Sequence, residues 1–336
     1  MVRVGVMGAT GYTALELLKL LRRHDDVELT VVTSRREGNP HLASVHPALA
    51  GLFDLELENI GPEAVSGRVD CVFCCLPHAA SASSVKVLLD AGVKVVDFSA
   101  DYRLNDVETY QRWYGNTHPD PARVGGTPYG LPELFGDELG DADLIANPGC
   151  FPTSAILPLA PFIKQNLIDQ SDIIIDSKTG VSGAGRNPKL AFHYPECNES
   201  LSAYNVGRHR HTPEIDQILK RYAGAETQVV FTPHLVPMDR GILSTCYCRP
   251  TSESLTEESA LQVLREFYRE SPFVRVVERL PGTKDTSGTN FCDITARVTR
   301  GRLILVSCLD NLVKGASGAA VQNFNHMFGF PETTAL

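Results

Sequence analysis

The run Val2-Arg3-Val4-Gly5-Val6-Met7-Gly8-Ala9-Thr10-Gly11-Tyr12 decides the fold of this chain. Its first six residues form a short apolar run typical of a buried strand, and helical periodicity follows over 12–23. At such a turn the backbone can approach a pyrophosphate, whose charge the helix N-terminus favours. The order of strand, glycine-rich turn and helix therefore predicts a dinucleotide site at Gly8, Ala9, Thr10, Gly11 and Tyr12.

This motif departs from the usual G-x-G-x-x-G pattern, because Val6 stands where that pattern has its first glycine. Gly8 still allows close approach of the backbone, and Gly11 still allows the helix to pack tightly on the sheet. A tight turn without a ligand is the alternative for the motif alone. Its weight therefore depends on the sequence around it.

The first 150 residues continue the alternation of strands and helices. Apolar runs at 28–33, 70–76 and 93–98 predict buried strands, and the periodicity of 79–91 predicts a second helix. Such alternation produces right-handed βαβ units and a parallel sheet. We predict a Rossmann domain over 1–149, completed by a C-terminal helix at 310–336.

The pattern changes after residue 150. A helix is expected at 152–166, and long strands with few helices between them are expected around 172–178, 227–232, 241–249, 290–299 and 302–309. Such a segment predicts an α+β domain on a mixed, largely antiparallel sheet. The expected fold class is α/β, with a substrate and dimerisation domain at 150–309 and a homo-oligomer, a dimer or a tetramer.

Composition limits the partners of the 336-residue chain. Its net charge is −9 and it has no long basic run, which argues against nucleic acid or an anionic membrane as partner, since both need a positive field. No apolar stretch approaches the roughly 18 residues of a membrane span. The N-terminus resembles a strand rather than a signal peptide, so the nine cysteines are expected to be reduced thiols in a cytoplasm.

The end of the second predicted strand indicates the cofactor. It reads Thr33-Ser34-Arg35-Arg36, where an NAD enzyme places an acid for the ribose 2′-hydroxyl. Two arginines and the Ser34 hydroxyl instead suit a 2′-phosphate and predict NADP(H). The alternative is two solvated charges. Pro77 and His78 end the third strand and are expected beside the cofactor, although His78 could simply be exposed.

The run Asn147-Pro-Gly-Cys-Phe-Pro-Thr153 joins a strand to a helix and carries the candidate nucleophile, Cys150. A cysteine at a helix N-terminus has a lowered pKa and a larger thiolate fraction. The alternative is a buried cysteine in a turn. The other eight cysteines are expected to pack in the core, and we predict no metal site, because no second pair completes the Cys71/Cys74 spacing.

A proton carrier for this thiol is expected in Gly207-Arg-His-Arg-His-Thr-Pro-Glu-Ile215. Thr212 and Pro213 mark a helix start, which places His211 near the helix N-terminus. His209 lies two residues earlier in the same polar loop. Both histidines are candidates, and a plain surface loop is the alternative.

Several runs together resemble the N-acetyl-gamma-glutamyl-phosphate reductase family of arginine biosynthesis over nearly the whole chain. They are the glycine-rich opening, the Cys150 run, the histidine loop, Thr179-Gly-Val-Ser-Gly-Ala-Gly-Arg186, Phe231-Thr-Pro-His-Leu235 and Asp310-Asn-Leu-Val-Lys-Gly315. Phe151 departs from the family, in which a tyrosine is common there.

The resemblance implies an NADP-binding domain followed by a substrate domain like that of glyceraldehyde-3-phosphate and aspartate-semialdehyde dehydrogenases. It implies that Cys150 attacks an acyl phosphate to form a thioester, which NADPH reduces to N-acetyl-glutamate semialdehyde. A histidine serves as acid and base. We assign that role to His211, with His209 as the second candidate.

The substrate of this family carries a carboxylate and a phosphate, so arginines should bind it. The candidates are Arg186, Arg208 and Arg103, with a surface salt bridge as the alternative for Arg103. Asn311 is expected to cap the last helix and to reach the nicotinamide amide. The remaining assignments are Asn147 to the substrate and Ser182 and Gly183 to the cofactor.

Two rival functions remain from the sequence. One is reduction of a related acyl phosphate, either carrier-bound aminoadipyl phosphate or aspartyl phosphate. The other is a non-enzymatic NADP sensor on the same fold. A sensor has no need of a reactive thiol beside a pair of histidines.

Overall fold

A computed structural model describes residues 1–224 and 226–336. The chain forms two compact units. The first contains Met1–Pro148 together with Ala316–Leu336, and the second contains Gly149–Gly315. Strands and helices are numbered below in chain order.

The first unit contains a six-stranded sheet whose paired strands all run parallel. The spatial order is β3-β2-β1-β4-β5-β6, that of a doubly wound dinucleotide-binding sheet. Val4, Val6 and Phe73 are fully buried, as expected of strands covered on both faces. The strands are β1 Val2–Met7, β2 Val27–Thr33, β3 Leu57–Glu58, β4 Cys71–Cys74, β5 Lys94–Asp97 and β6 Leu144–Ala146.

Helices of the first unit include the chain's last helix. Its start is held against α1, because the Ser317 hydroxyl donates to the Thr13 carbonyl. This helix begins at Gly318 rather than at Asp310, since Val313–Ser317 form a π-helical turn. The helices are α1 Tyr12–Leu21, α2 Leu42–Val45, α3 Pro62–Ser66, α4 Ser81–Asp90, α5 Val107–Tyr114, α6 Pro132–Phe135 and α12 Gly318–Phe328.

The second unit contains a seven-stranded sheet of order β11-β12-β13-β10-β7-β9-β8. Four of its pairings are antiparallel and two are parallel, which confirms the predicted mixed, largely antiparallel sheet. The strands are β7 Ile168–Thr179, β8 Ser202–Ala203, β9 Val229–Leu235, β10 Ile242–Pro250, β11 Val274–Val276, β12 Cys292–Thr299 and β13 Arg302–Leu309.

Helix α7 lies on one face of this second sheet, and a buried hydroxyl network joins the two. The Ser244 hydroxyl lies 2.7 Å from those of Ser154 and Ser177, and Ser307 donates to the Ser154 carbonyl. These directional bonds fix the helix on the sheet. The helices are α7 Cys150–Lys164, α8 Tyr194–Cys197, α9 Thr212–Ala223, α10 Glu257–Phe267 and α11 Thr283–Thr286.

Helix α7 begins at Cys150, two residues before the predicted start at Pro152. The difference matters, because it places the thiol in the first turn of the helix. Among the residues that the structure describes, none of the helices combines the length and hydropathy that a membrane crossing requires.

Candidate active site

Cys150 opens α7, a helix of 15 residues. Gly149 is its N-cap residue, with an extended backbone (φ −73°, ψ 151°), and no side chain caps the helix there. The helix dipole therefore favours negative charge at the Cys150 sulfur. Cys150 is partly exposed, whereas burial raises the pKa of Cys248 to about 12 and that of Cys308 to about 11. Among these three thiols of the second unit, Cys150 has the environment of a nucleophile.

His209 and His211 pack on the residue that follows the thiol. The Phe151 ring lies 5.3 Å from the His209 ring and 5.9 Å from the His211 ring, measured between centroids. The two imidazoles lie 4.9 Å apart, and the His211 backbone amide donates to His209 Nδ1 at 3.1 Å. The histidine loop and the thiol turn therefore lie together in one site.

The two histidines differ in charge. Burial, assisted by the positive charge of Arg210, lowers the pKa of His209 to about 4. His209 is therefore neutral near pH 7. Since Nδ1 accepts the amide of His211, its proton resides on Nε2.

Tyr204 completes this aromatic cluster, with its ring 5.6 Å from that of His209. Burial and the nearby Cys150 raise its pKa, so the phenol stays protonated. Glu214 and Tyr204 are two site residues that the sequence analysis did not select. Glu214 belongs to the recognised histidine run, but nothing in the run shows that its side chain turns inward.

Glu214 is a fully buried carboxylate in the first turn of α9. Its Oε1 accepts the backbone amide of Gly149 at 2.8 Å, a bond between residues 65 positions apart. Helix α9 begins immediately after His211, which is its N-cap residue. One hydrogen bond therefore joins the turn that carries the thiol to the helix that follows the histidine.

Gly315 packs directly against the nucleophile. A Cβ atom at Gly315 would lie 2.8 Å from Cys150 Cβ and 3.3 Å from Cys150 Cα. Only a residue without a side chain fits beside Cys150 in this arrangement. This explains why the run Asp310–Gly315 ends in glycine.

Asp310 and Asn311 order the segment that leads to Gly315. The buried Asp310 carboxylate accepts the amides of Leu312 and Val313, at 2.8 and 3.1 Å. The expectation that Asn311 caps the last helix is wrong, because Asn311 Oδ1 accepts the Gly241 amide and Nδ2 donates to the Ser182 hydroxyl. Its amide is held by the second unit's own loops.

Ser182 and Gly183 lie in the 3₁₀ turn Val181–Ala184 after β7. The Ser182 hydroxyl donates to the Asp239 carbonyl and accepts from Asn311. A Cβ atom at Gly183 would lie 3.6 Å from the side-chain nitrogen of Asn311. These residues form one interconnected set of loops at the carboxyl end of β7.

The predicted substrate arginines have different surroundings. Arg103 is buried rather than on the surface, and its guanidinium donates to the carbonyls of Asn147 and Phe98, both at 2.7 Å. Arg186 and Arg208 are exposed. Sequence reasoning did not select Arg240, whose Nη1 lies 3.2 Å from the buried carboxylate of Asp310.

Asn147 is also buried in the first unit. Its side-chain oxygen accepts from Asn323 at 2.9 Å and its Nδ2 donates to the Ala316 carbonyl at 3.0 Å. The side chain thus joins the end of β6 to α12 and the residues before it. This geometry suits a residue that stabilises the fold of the first unit.

The glycine-rich turn of the first unit fits a dinucleotide phosphate. Gly8 has φ +79°, and a Cβ there would lie 2.6 Å from the Cys75 carbonyl oxygen, so only glycine fits. Helix α1 has no side-chain cap at Gly11 and no acidic residue in its first turn. Nothing in that turn competes with an anion at the helix N-terminus. The Ala9 amide donates to the Thr33 carbonyl, and the Ala9 carbonyl is hydrogen-bonded to His46 Nε2.

The end of β2 carries the residues predicted for the 2′-phosphate. Ser34 is buried, and its hydroxyl accepts the Arg36 amide at 3.2 Å. Arg35 and Arg36 are exposed. The nearby Glu58 carboxylate is paired with Arg68, at 2.7 Å, which reduces its repulsion of a phosphate.

Pro77 and His78 follow β4. Pro77 is exposed, and His78 is partly buried, with its Nδ1 accepting the Ala100 amide at 2.9 Å. His78 is therefore tied to the neighbouring turn after β5. Over the described part of the chain, no three His, Cys, Asp or Glu side chains group as metal ligands would.

Two family models match the chain. One describes the NAD binding domain of semialdehyde dehydrogenase and covers residues 3–142; the other describes its dimerisation domain and covers 150–311. Solved structures agree in fold. Aspartate semialdehyde dehydrogenase II of Vibrio cholerae superposes with a TM-score of 0.73 at 16% identity, over 97% of this chain and 98% of that one. The enzyme of Candida albicans, solved with NADP, gives 0.71 at 18%, over 97% and 98%. The two family models together place the chain in the class of the semialdehyde dehydrogenases.

Curated relatives narrow the class. An N-acetyl-gamma-glutamyl-phosphate reductase of Rhodopirellula baltica is 54% identical over 99% of this chain and 98% of its own length. That of Geobacter metallireducens is 49% identical over 100% and 98%. The chain belongs to the N-acetyl-gamma-glutamyl-phosphate reductase family. The resemblance and the fold class drawn from the sequence are both confirmed.

Proposed function

We propose that this protein reduces N-acetyl-L-glutamyl 5-phosphate with NADPH to N-acetyl-L-glutamate 5-semialdehyde and phosphate, through a thioester on Cys150. One observation carries the proposal: a partly exposed thiol opens α7 beside two histidines that pack on Phe151. The names of the relatives indicate the substrate, and the residues of the site are suited to the chemistry of an acyl phosphate.

The thiol begins the reaction as a nucleophile. His211 takes its proton, the thiolate attacks the acyl carbon, and the C–O bond to phosphate breaks. The imidazolium returns the proton to the leaving phosphate, and an acyl thioester remains on Cys150. NADPH, when bound, would supply the hydride that reduces the thioester carbon. The resulting oxyanion collapses, the C–S bond breaks, and the aldehyde leaves Cys150 as a thiolate.

The oxyanion of these steps needs a fixed donor. The Gly149 amide donates to Glu214, so we assign the oxyanion to the backbone amide of Cys150 at the start of α7. A single donor of this kind contributes about 10²–10³-fold to turnover. The helix dipole acts in the same direction.

His211 is our choice for the acid and base, and the pKa of His209 is the reason. A catalytic acid and base works best with a pKa near the operating pH, whereas the pKa of His209 is lowered to about 4. We expect His211→Ala to lower kcat by roughly 10²–10⁴-fold. His209→Asn should lower kcat by a smaller factor, because the His209 ring only positions the backbone of His211. Steady-state assays of both variants test this order, and a larger loss in His209→Asn would reverse the assignment.

NADP(H) is the proposed cofactor, held by the first unit at Gly8, Ala9, Thr10, Gly11 and Tyr12. Ser34, Arg35 and Arg36 would bind the 2′-phosphate, and Pro77 and His78 would lie near the dinucleotide. Ser182, Gly183 and Asn311 remain proposed contacts from the second unit. The steric need for glycine at position 8 and the uncapped start of α1 support this assignment.

Replacing Arg35 and Arg36 together by alanine should raise the KM for NADPH at least about tenfold, since two charge-assisted contacts are lost. The KM for NADH should change little, because NADH has no 2′-phosphate. Arg22→Ala, an exposed arginine at the end of α1, is the matched control. Equal changes with both cofactors would contradict the assignment.

Substrate anions require cations in the second unit. Arg186 and Arg208 remain proposed for the carboxylate and the phosphate. Arg103 and Asn147 also remain proposed for the substrate, although Arg103 donates to backbone carbonyls and Asn147 accepts from Asn323. Comparing the KM for phosphate in the reverse reaction between Arg186→Ala and Arg208→Ala separates the two roles.

A homo-oligomer is also proposed, either a dimer or a tetramer. Val230, Ile174 and Tyr247 are neighbours on β9, β7 and β10, and these residues are 62%, 39% and 36% exposed. This apolar row on the sheet suits a second copy of the chain. A monomeric mass in sedimentation velocity at micromolar concentration would contradict it.

The decisive assay is phosphate-dependent reduction of NADP⁺ with N-acetyl-glutamate semialdehyde, set against aspartate semialdehyde. Preference for the acetylated substrate supports the proposal. Preference for aspartate semialdehyde would favour the related acyl-phosphate reductase, and NADP⁺ binding without turnover would favour the sensor. We also propose that the protein acts in the cytoplasm, where its nine cysteines would stay reduced.

A further inference from the structure

The buried carboxylate of Glu214 has no part in the chemistry described so far. It is fully buried, and it accepts the amide of Gly149, the residue immediately before Cys150. A buried carboxylate is costly to desolvate and is retained where it has a specific role. Its position beside the nucleophile requires an explanation.

Geometry gives Glu214 control over two turns at once. Its Oε1 fixes the N-cap residue of α7, and its own backbone lies in the first turn of α9, three residues after His211. Helices α7 and α9 pack along each other. Shortening or removing this side chain would therefore change the position of Cys150 relative to His211.

Charge acts at the same place. A carboxylate beside the start of α7 opposes the effect of the helix dipole on the Cys150 thiolate. Two other titratable side chains of this site, Tyr204 and His209, are neutral near pH 7. Arg208 and Arg210 lie on the same loop and are exposed.

We propose that Glu214 is a positioning residue for this reaction, one that holds the Gly149–Cys150 turn against the start of α9 and places a negative charge beside that turn. The proposal rests on Cys150 and His211 acting as nucleophile and acid–base. It assigns Glu214 no contact with substrate.

Two variants separate its charge from its reach. Glu214→Gln keeps an acceptor oxygen for the Gly149 amide but removes the charge, and Glu214→Asp keeps the charge but shortens the side chain by one methylene. Glu258→Gln is the matched control, because Glu258 is an exposed glutamate in the first turn of α10.

The readout is the pH dependence of iodoacetamide labelling at Cys150, followed by peptide mass spectrometry, alongside kcat. We expect the labelling midpoint of Glu214→Gln to fall by about one pH unit, since a nearby like charge is removed. Glu214→Asp should keep a midpoint close to that of the wild type and lose about 10²-fold in kcat through misplacement. Glu258→Gln should match the wild type in both.

An unchanged midpoint in Glu214→Gln together with unchanged kcat in Glu214→Asp would overturn the proposal. Loss of the folded state in both variants would also overturn it, since Glu214 would then stabilise the unit as a whole. The wild type could show no reductase activity while Glu214→Gln still shifts the labelling midpoint. That result would support the effect of Glu214 on Cys150 and contradict the proposed reaction. Labelling needs no substrate, so the two failures are distinguishable.

Discussion

Cys150→Ser is expected to lower kcat by at least about 10⁴-fold, since removal of a catalytic nucleophile costs that much or more. A serine hydroxyl at the start of α7 has a far higher pKa than a thiol, and the helix dipole cannot make it an alkoxide near pH 7. Folding should be unaffected, because the oxygen is smaller than the sulfur and the position is partly exposed. NADPH consumption in steady state measures the effect.

The matched control is Cys197→Ser. Cys197 is the other partly exposed thiol of the second unit, at the end of α8. This variant should keep near wild-type turnover. Substantial turnover in Cys150→Ser would exclude the thioester route, and a large loss in Cys197→Ser would show that the thiol has been misassigned.

Gly315→Ala should lower kcat by about 10²-fold or more, while changing no group that takes part in the chemistry. The added methyl would lie 2.8 Å from Cys150 Cβ and 3.3 Å from its Cα, closer than carbon atoms pack. Either the first turn of α7 or the segment from Asp310 must move. A displacement of about 1 Å at a nucleophile has an effect of this size.

Gly140→Ala provides the comparison, because a Cβ at Gly140 meets no described atom within 4 Å. It should leave both turnover and thermal stability unchanged. Crystal structures or labelling rates at Cys150 would show whether the sulfur has moved in Gly315→Ala. Full activity in that variant would mean that the segment yields without disturbing the thiol.

Local sequence patterns determined much of what was predicted correctly. The glycine-rich turn, the apolar strands and the thiol turn are short contiguous signals, and each depends on neighbours in the chain. The all-parallel sheet followed from the alternation of its elements. The family resemblance followed from several such runs together.

Long-range contacts could not be predicted in this way. The bond from Gly149 to Glu214 joins residues 65 positions apart, and the approach of Gly315 to Cys150 spans 165 positions. The burial of Arg103, a candidate for the substrate, depends on carbonyls at Phe98 and Asn147 that only the fold brings together. The expected helix cap at Asn311 is wrong for the same reason, since the partners of its side chain, Gly241 and Ser182, are distant in sequence.

The serine network beneath α7 has a consequence for engineering the protein. Apolar contacts have no preferred direction, so a helix held by them alone can rotate or slide at little cost. The hydrogen bonds that Ser154 of α7 makes with the hydroxyls of Ser244 and Ser307 on the sheet have strict geometry and fix the axial rotation of α7. Core redesign that replaces these serines with larger apolar residues could therefore make the protein more resistant to heat and still turn its thiol away from the substrate.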